Sequence, residues 1–414
     1  MKYVSVDEAV RTIPDGSFVI FQGGAAETRD FHRSFAAQVE RFSDLTVCTG
    51  FSFGSYEFLQ NGLGTNFSFL TWQASPKLRH LFKENDRQKT RFVPIRLGDV
   101  HRVIAADGEL RPDVVVVQTS RPLDDGTVSL GISVGPNLDF IRSAKLVIAE
   151  INVNMPVTCG ESRVSVDDID IAYESDTALC EYHSPGASDS DRAIVDYVMS
   201  LVPHGAWAQL GIGSVPDLVM AELANLKGVN LLSGLLTGGL QAFMENAKDS
   251  PEVIVGELAG DQAFYQFCHE NAQIKMAPTS VTHDVGAVAA LPRFTSINSA
   301  LEVDLMGQSN GEAIGTLQIS GVGGALDYIE AANWCDEGIS IIALPSVTND
   351  GKRSKIVPRF GAGGVVTVPR YCTDYVVTEY GIAKLKGKDL FQRAEALIGI
   401  AHPDFRDALA GEIK

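Results

Sequence analysis

The sequence predicts an α/β fold built from two similar, open domains with largely parallel sheets. Short apolar runs rich in Val and Ile alternate along the chain with helical stretches. Parallel sheets that are covered by helices on both faces have this pattern. A segment of linker composition, Ser184–Asp189, lies near the middle, so we expect one α/β domain over residues 1–185 and another over 186–414.

The individual elements follow from the apolar runs and their Gly and Pro boundaries. The predicted strands are Ser17–Phe21, Leu45–Cys48, Asp113–Gln118, Lys145–Ile151, Ala206–Leu210, Ile339–Leu344 and Gly364–Val368. The predicted helices between them include Asp191–Leu201 and Pro216–Leu226.

A faint internal repeat supports two related halves. Ile13–Gly16 precedes a strand that ends in Gln22–Gly24, and a helix and a second strand follow. Val202–Gly205 precedes a strand that ends in Gly211–Gly213, again followed by a helix and a strand. The repeated order of turn, strand, Gly loop, helix and strand indicates the same α/β unit in each half.

Composition excludes several classes of function. The 414 residues carry a formal net charge of −18, which argues against broad binding to nucleic acids. No apolar run is long enough to span a membrane, and the N-terminal residues have no signal core, so we expect a cytoplasmic protein. The six cysteines are scattered without a CxxC pair. They predict reduced thiols and no metal site.

The strongest local motif is the Gly-rich segment Ser320–Tyr328, which contains Gly321, Gly323 and Gly324. Backbone N–H groups in such a loop can approach a phosphate or form an oxyanion hole. The same glycines could also form a simple tight turn, and the residues alone leave both interpretations open.

A second Gly loop, with Gly211 and Gly213, lies between a predicted strand and the helix that Pro216 begins. Free N–H groups at such a helix start favour an anion, although a plain strand–helix junction has the same sequence. The full dinucleotide fingerprint is missing, so we exclude a nicotinamide cofactor.

Other candidate groups are single side chains. Glu379 follows an apolar run and could be an acid, a base or a helix-capping residue. His283 lies in a turn-like segment, Thr279–Gly286, and could exchange protons or be structural. Lys352 and Lys355 belong to a small basic cluster that could meet a phosphate or be solvated.

Taken together, these motifs resemble the acetyl-CoA hydrolase/transferase family, which includes acetate-, succinate- and 4-hydroxybutyrate-using CoA-transferases. The matching segments span most of the chain: Val115–Ser120, Asp125–Gly131, Ala144–Pro156, Leu210–Asp217, Ile297–Leu305, Ser320–Tyr328, Ile341–Ser346, Ile356–Pro358, Thr378–Ile382 and Ala401–Arg406. The resemblance implies a CoA-transferase-type fold with the active site in the cleft between two similar domains.

The resemblance also implies a mechanism. In the transferases of this family a glutamate attacks the thioester and becomes a glutamyl-CoA thioester, while a backbone amide of the Gly-rich loop stabilises the oxyanion. Gly323 and Gly324 match that loop, and Glu379 matches the family's second carboxylate.

This sequence departs from the family at the nucleophile. The expected glutamate segment reads Leu232–Gly239, with Gly234 at the position of the glutamate, and His283 replaces an Asn of the family. Glycine has no nucleophile, so we expect acyl transfer or hydrolysis without a glutamyl-CoA intermediate. His283 or Glu379 would act as a general base, in space that the missing carboxylate leaves for the acceptor. Ser233 is an alternative nucleophile, without a supporting Ser-His-acid spacing.

Two other interpretations remain open at this point. The chain could be a conventional CoA-transferase whose nucleophile is Glu257 or Glu302, or a catalytically inactive CoA-binding subunit. In each case the expected ligand is coenzyme A, acyl-CoA or a carrier-protein pantetheine as substrate, with no tightly bound cofactor. The acceptor would be a carboxylate, water or another nucleophile. The resemblance further implies a homodimer.

Overall fold

The computed structural model describes residues 1–59, 66–83, 89–105 and 107–413. The strands are β1 (Lys2–Tyr3), β2 (Phe18–Phe21), β3 (Leu45–Cys48), β4 (Phe67–Thr71), β5 (Thr90–Phe92), β6 (Val114–Thr119), β7 (Thr127–Ser129), β8 (Leu146–Asn152), β9 (Cys159–Gly160), β10 (Arg163–Ser165), β11 (Ile171–Ser175), β12 (Trp207–Leu210), β13 (Asn230–Thr237), β14 (Val253–Ala259), β15 (Ile274–Met276), β16 (Thr295–Asn298), β17 (Glu302–Asp304), β18 (Ser309–Asn310), β19 (Ala313–Ile314), β20 (Leu317–Gln318), β21 (Ile339–Ala343), β22 (Ile356–Val357), β23 (Tyr375–Thr378) and β24 (Gly381–Lys384).

The α-helices are α1 (Val6–Arg11), α2 (Arg29–Ala37), α3 (Arg79–Lys83), α4 (Val100–Val103), α5 (Asn137–Ser143), α6 (Asp189–Met199), α7 (Ser214–Leu223), α8 (Gly239–Asn246), α9 (Gln262–Cys268), α10 (Thr279–Thr282), α11 (Val285–Ala289), α12 (Ala325–Trp334), α13 (Leu390–Ile400) and α14 (Pro403–Ala410). None of the helices in the described ranges combines the length and the apolar character that crossing a bilayer requires.

The chain divides into two compact units. Unit 1 comprises Met1–His183 together with Val253–Thr282, and unit 2 comprises Ser184–Glu252 together with the chain from His283 onward. The first break lies close to the linker that the sequence indicates, and Val253–Thr282 returns to unit 1. The division into domains 1–185 and 186–414 stays a prediction.

Unit 1 contains an eight-stranded, fully parallel sheet of order β1-β11-β8-β6-β2-β3-β4-β5. All six residues of β6 are buried, which explains its unbroken run of four valines. Three further strands of this unit, β14, β15 and β9, also pair in parallel. The Glu257 side chain projects from β14.

Aromatic rings form much of the unit 1 core. Phe21 meets Phe31, Phe35 and Phe58 edge-on, with centroids 5.6, 5.4 and 5.1 Å apart. Edge-to-face pairs of this kind stabilise a core beyond the area that they bury. The cluster packs the buried face of α2 against the sheet.

Unit 2 contains strands in the order β24-β23-β21-β16-β12-β13. The pairs among them are parallel except that β24 runs antiparallel to β23. Two capping boxes start helices of this unit, Ser188 with Asp191 at α6 and Asp389 with Gln392 at α13. In each box the two side chains accept hydrogen bonds from two backbone N–H groups that have no partner within the helix.

The prediction of a mixed α/β fold with largely parallel sheets is confirmed. In both units a strand, a Gly loop, a helix and a parallel strand follow in sequence, as the repeat predicts (β2-α2-β3 and β12-α7-β13). The predicted strand Gly364–Val368 is wrong: Val368 makes one isolated bridge to Ser309, and Gly364 closes a turn onto Gly361. Two glycines and a turn end the run before a ladder forms.

Candidate active site

The Gly-rich loop leads directly into α12. Gly323 has a φ of +66°, a left-handed conformation that favours glycine, and Gly324 occupies the N-cap position of the helix. The first N–H groups of a helix lack a carbonyl partner within it, and the helix dipole places partial positive charge there. This end of α12 is therefore suited to an oxyanion or a phosphate.

The His283 ring is wedged between two glycines. A Cβ atom placed on Gly324 would lie 2.3 Å from His283 Nε2, and one on Gly234 would lie 2.7 Å from His283 Cε1. Real Cβ atoms do not approach other atoms so closely, so any side chain at either position would displace the ring. The structure thus brings three predicted site residues together: Gly234, His283 and Gly324.

The space beside Gly234 is filled. Besides the imidazole, the Tyr328 hydroxyl would lie 3.2 Å from a Cβ on Gly234, and the rings of His283 and Tyr328 have centroids 4.7 Å apart. The expectation that the missing carboxylate leaves room for an acceptor at this point is therefore wrong. A bulky imidazole, which the sequence places 49 residues away, occupies that room.

His283 is electrically neutral near neutral pH. Burial lowers the pKa of His283 to about 3, because desolvation penalises the imidazolium. A general base works best when its pKa lies near the operating pH. The lowered pKa therefore weakens the general-base hypothesis for His283. The segment around it is also more helical than the predicted turn, with α10 before it and Asp284 capping α11 after it.

Ser233 lies next to Gly234 on β13, and its hydroxyl is committed to backbone. The Oγ donates to the carbonyl oxygens of Leu210 and Leu235, at 2.9 and 3.0 Å. A hydroxyl proton held in this way ties the end of β12 to β13. These contacts favour a structural role over the alternative nucleophile.

Glu379 lies in the turn between β23 and β24. Ser346 donates to both of its carboxylate oxygens, from its backbone N–H at 2.9 Å and from its hydroxyl at 2.6 Å. Half-buried Lys355 lies close enough to be influenced by the Glu379 charge. Burial lowers the pKa of Lys355, and the Glu379 and Asp191 charges oppose that effect. Lys352 of the predicted basic cluster is exposed.

The second Gly loop has the predicted form. Gly213 has a φ of +124° and is the N-cap of α7, and the Gly211 N–H donates to the Ile297 carbonyl at 3.0 Å. Beneath it, the buried side chains of Gln209 and Asn298 bond to each other. Sequence reasoning missed this amide pair, which joins the ends of β12 and β16.

The two alternative nucleophiles have different surroundings. In unit 1, the Glu257 carboxyl lies against Gly24 and Gly135, and its Oε2 is shielded with no hydrogen-bond partner in the described residues. Burial raises the pKa of Glu257 to about 8, against the effect of Ser133. In unit 2, Glu302 accepts a hydrogen bond from Asn310 Nδ2 at 3.0 Å.

Comparison with known proteins agrees with the motifs. The acetyl-CoA hydrolase/transferase N-terminal domain model matches residues 1–200, and the C-terminal domain model matches residues 260–413. The 4-hydroxybutyrate coenzyme A transferase of Clostridium kluyveri is 35% identical over 421 residues, 100% of this chain and 97% of the relative.

Solved structures have the same fold. RipA from Yersinia pestis is 28% identical with a TM-score of 0.93, covering 99% of this chain and 96% of that one. The 4-hydroxybutyrate CoA-transferase from Porphyromonas gingivalis is 31% identical with a TM-score of 0.80, covering 100% and 97%. The chain belongs to the acetyl-CoA hydrolase/transferase family.

Proposed function

We propose that this chain processes an acyl-CoA, or another pantetheine thioester, by hydrolysis or acyl transfer without a glutamyl-CoA intermediate. The observation that carries the proposal is the contact of Gly234 with the His283 ring. A glutamate side chain cannot share that space with the imidazole. The covalent route through this position is therefore closed both chemically and sterically.

In the hydrolytic form of the reaction, water attacks the thioester carbonyl carbon. Its proton passes to Glu379, the carbonyl oxygen becomes an oxyanion, and the C–S bond then breaks. The products are the free acid and CoA thiolate, which takes up a proton. A general base contributes about 10²- to 10⁴-fold to such a step.

In the transfer form, a carboxylate acceptor attacks the same carbon directly and needs no base. Breaking the C–S bond gives a mixed anhydride and CoA thiolate. The thiolate then attacks the acceptor's acyl carbon and releases the donor acid, so the acceptor leaves as its CoA thioester. Both substrates must be bound together, which distinguishes this route from ping-pong transfer.

The residues of unit 2 have separate proposed roles. The N–H groups around Gly323 and Gly324 would receive the oxyanion, a contribution of about 10²- to 10³-fold for one donor. Glu379, held by Ser346, would be the base. The Gly211–Gly213 and Gly321 loops and the cations of Lys352 and Lys355 would bind CoA phosphates.

The test is incubation of the purified chain with acetyl-, butyryl- and 4-hydroxybutyryl-CoA, with and without carboxylate acceptors, followed by borohydride and peptide mass spectrometry. We expect release or exchange of CoA and no reduced glutamate. Intersecting initial-velocity lines are expected with a carboxylate acceptor. A reduced glutamyl-CoA adduct in the unaltered chain would overturn the proposal, as would the lack of turnover with every thioester.

A pair of variants provides the matched control. Gly234→Glu together with His283→Asn restores the family pattern at both positions, and we expect a reducible adduct at residue 234. Gly234→Glu alone leaves the imidazole in place, so that carboxylate is forced away and no adduct is expected. An adduct in the single variant would show that the His283 ring does not prevent a glutamate at residue 234 from reacting.

A conventional transferase is the second candidate, because Glu257 offers a shielded carboxyl oxygen that has no hydrogen-bond partner among the residues that the structure describes. Its raised pKa makes it a weak nucleophile near neutral pH, since most of it is protonated. The trapping experiment decides between the candidates, because a reduced residue 257 supports only the second. Glu257→Gln would then abolish the adduct.

The proposed setting is a homodimer in the cytoplasm. All six cysteines are free thiols, which suits a reducing compartment. Light scattering of the purified chain tests the dimer, and a monomer at micromolar concentration would contradict it.

A further inference from the structure

Among the residues that the structure describes, the four most exposed large apolar side chains all belong to unit 2. They are Tyr371, Trp334, Phe391 and Leu390, with 79, 70, 59 and 52% of their surface exposed. Single exposed apolar residues are ordinary on a protein surface, whereas a contiguous group marks a surface that binds a partner. These four residues are called the aromatic patch below.

Hydrogen bonds between neighbouring residues show that the patch is contiguous. Asn333, next to Trp334, donates from Nδ2 to the carbonyl oxygen of Cys372 at 2.6 Å. Arg393 donates from Nη1 to the carbonyl oxygen of Arg370 at 2.7 Å, and it belongs to α13, the helix that the other two patch residues begin. The end of α12, the residues before β23 and the start of α13 therefore lie side by side.

The patch has the size of the apolar centre of a dimer interface. At about 150–250 Å² for a whole aromatic side chain, its three rings leave about 300–500 Å² of apolar surface exposed to water. A standard interface covers about 800 Å² of each partner, and rather more than half of that area is apolar. One copy of the patch thus supplies most of the apolar area that such an interface needs.

The charges around the patch are balanced. The segments 333–337, 370–372 and 384–395 carry four exposed cations and four exposed anions: Arg370, Lys384, Lys386, Lys388, Asp336, Glu337, Asp389 and Glu395. A two-fold axis brings a surface against its own copy, so both signs of charge are needed on one face. An anionic membrane would instead favour a predominantly basic face. The balance therefore favours a second copy of this chain as the partner.

We propose that the aromatic patch is the surface through which two copies of this chain associate across a two-fold axis. The rings of Trp334, Tyr371 and Phe391 form its centre, and the balanced charges form its rim. Large aromatic side chains that become fully covered contribute much of the binding energy of an interface. The surface rests on the homodimer of the proposed function, and it does not depend on how the thioester reacts.

Trp334 is a built-in reporter of this surface. The chain has three tryptophans, and the other two, Trp72 and Trp207, are buried. Iodide quenching of the unaltered chain, minus that of Trp334→Phe, therefore isolates the fluorescence of Trp334. We expect Trp334 to be shielded from iodide at concentrations where light scattering finds the dimer. Free access of iodide to Trp334 in a dimeric chain would overturn the proposal.

Substitutions in the patch should separate the two copies. Phe391→Ser and Tyr371→Ser each remove an exposed ring, and each should raise the dissociation constant of the dimer by at least about 30-fold. Tyr3→Ser is the matched control, because Tyr3 is an equally large ring that is 50% exposed in unit 1, and the dissociation constant should not change. Analytical ultracentrifugation measures this constant, and circular dichroism checks that each variant is folded.

Each outcome has a definite meaning. A dimer that withstands both patch substitutions overturns this surface and leaves the thioester chemistry of the proposed function untouched. A monomer at tens of micromolar overturns the surface and the homodimer together. Flotation with phosphatidylserine vesicles that depends on the patch would assign it to a membrane, and so would also overturn the proposal. Trapping of a glutamyl-CoA adduct defeats the thioester chemistry alone.

Discussion

Glu27 of unit 1 and His283 of unit 2 are both buried and titratable, but their surroundings are opposite in kind. In unit 1, Glu27 is surrounded by donors: His32 Nδ1 at 3.0 Å, the Tyr56 N–H at 3.0 Å and the Ser52 hydroxyl. Burial alone would raise the pKa of Glu27, but these hydrogen bonds and the His32 charge outweigh it and lower the pKa. In unit 2, His283 lies among glycine backbone and a phenol ring, and desolvation lowers its pKa.

The difference teaches where to look for chemistry in this fold. A buried charge whose hydrogen bonds are all provided stabilises one arrangement of the chain, as a satisfied polar network does. A buried group shifted by desolvation beside a helix N-terminus has a changed protonation state that a reaction can use. Unit 1 also holds carboxyl groups whose pKa is raised by burial, among them Glu257 and Glu150, so the contrast lies between two kinds of surroundings and not between the two units.

The largest expected effect tests the network of unit 1. Glu27→Ala leaves His32, Ser52 and Tyr56 with unpaired buried donors, so we expect the free energy of unfolding to fall by about 3–5 kcal/mol. Glu27→Gln keeps one acceptor oxygen, so its free energy of unfolding should fall by clearly less. Urea unfolding followed by fluorescence measures both. Equal stability of Glu27→Ala and the unaltered chain would show that the hydrogen bonds to Glu27 do not stabilise unit 1, and would contradict the comparison with His283.

The next effect concerns Glu257 and has a definite sign. Glu257 keeps its proton up to about pH 8 in the folded chain, but only to its ordinary, lower pKa when unfolded. The folded state therefore binds more protons in this window, and the free energy of unfolding decreases as the pH rises through it. Glu257→Gln removes this titration, so its stability relative to the unaltered chain should rise by about 2–3 kcal/mol between pH 5 and pH 7.

Urea unfolding at the two pH values measures this change. Glu27→Gln serves as the contrast, because the pKa of Glu27 is lowered and its contribution is lost as the pH falls. A Glu257→Gln variant with the same pH dependence as the unaltered chain would show that this carboxyl is solvated, and the contrast between environments would lose its unit 1 example.

The smallest expected effect on stability comes from one methyl group in unit 2. Gly234→Ala places a Cβ 2.7 Å from His283 Cε1, so the ring must tilt, at a cost of about 1–2 kcal/mol. Thioester turnover should fall as well, because the ring also lies against Gly324 of the Gly-rich loop. The control is Gly239→Ala, where the added methyl meets the flexible Met220 Cε at 3.1 Å. Equal turnover in the two variants would contradict the role of the wedged ring.

Local patterns predicted the fold well because buried parallel strands leave unmistakable apolar runs. Six of the seven predicted strand runs correspond to strands of the structure, and the strand β6 differs from its predicted range by one residue at each end. The strand prediction for Gly364–Val368 failed because this run makes only one isolated bridge, from Val368 to Ser309, and has no neighbouring strand with which to form a ladder.

The site was harder to predict because its contacts join distant parts of the chain. Gly234, His283 and Gly324 were identified by resemblance, but nothing in their spacing places an imidazole between two glycines. The Tyr328 ring had no separate signal, since it belongs to an apolar helix face. The Glu27–His32 pair, five residues apart, lies in a segment that also contains Arg29 and Asp30, so nothing in the sequence sets these two residues apart.

The wedged imidazole also constrains how this gene can change. A single codon change that introduces glutamate at position 234 would bring its side chain against the His283 ring and damage folding before it allowed any covalent chemistry. Exchange of the histidine first would have to pass through an intermediate that lacks both the ring and the nucleophile. A glutamate nucleophile at position 234 therefore requires two paired substitutions, and directed evolution by single steps should not find it.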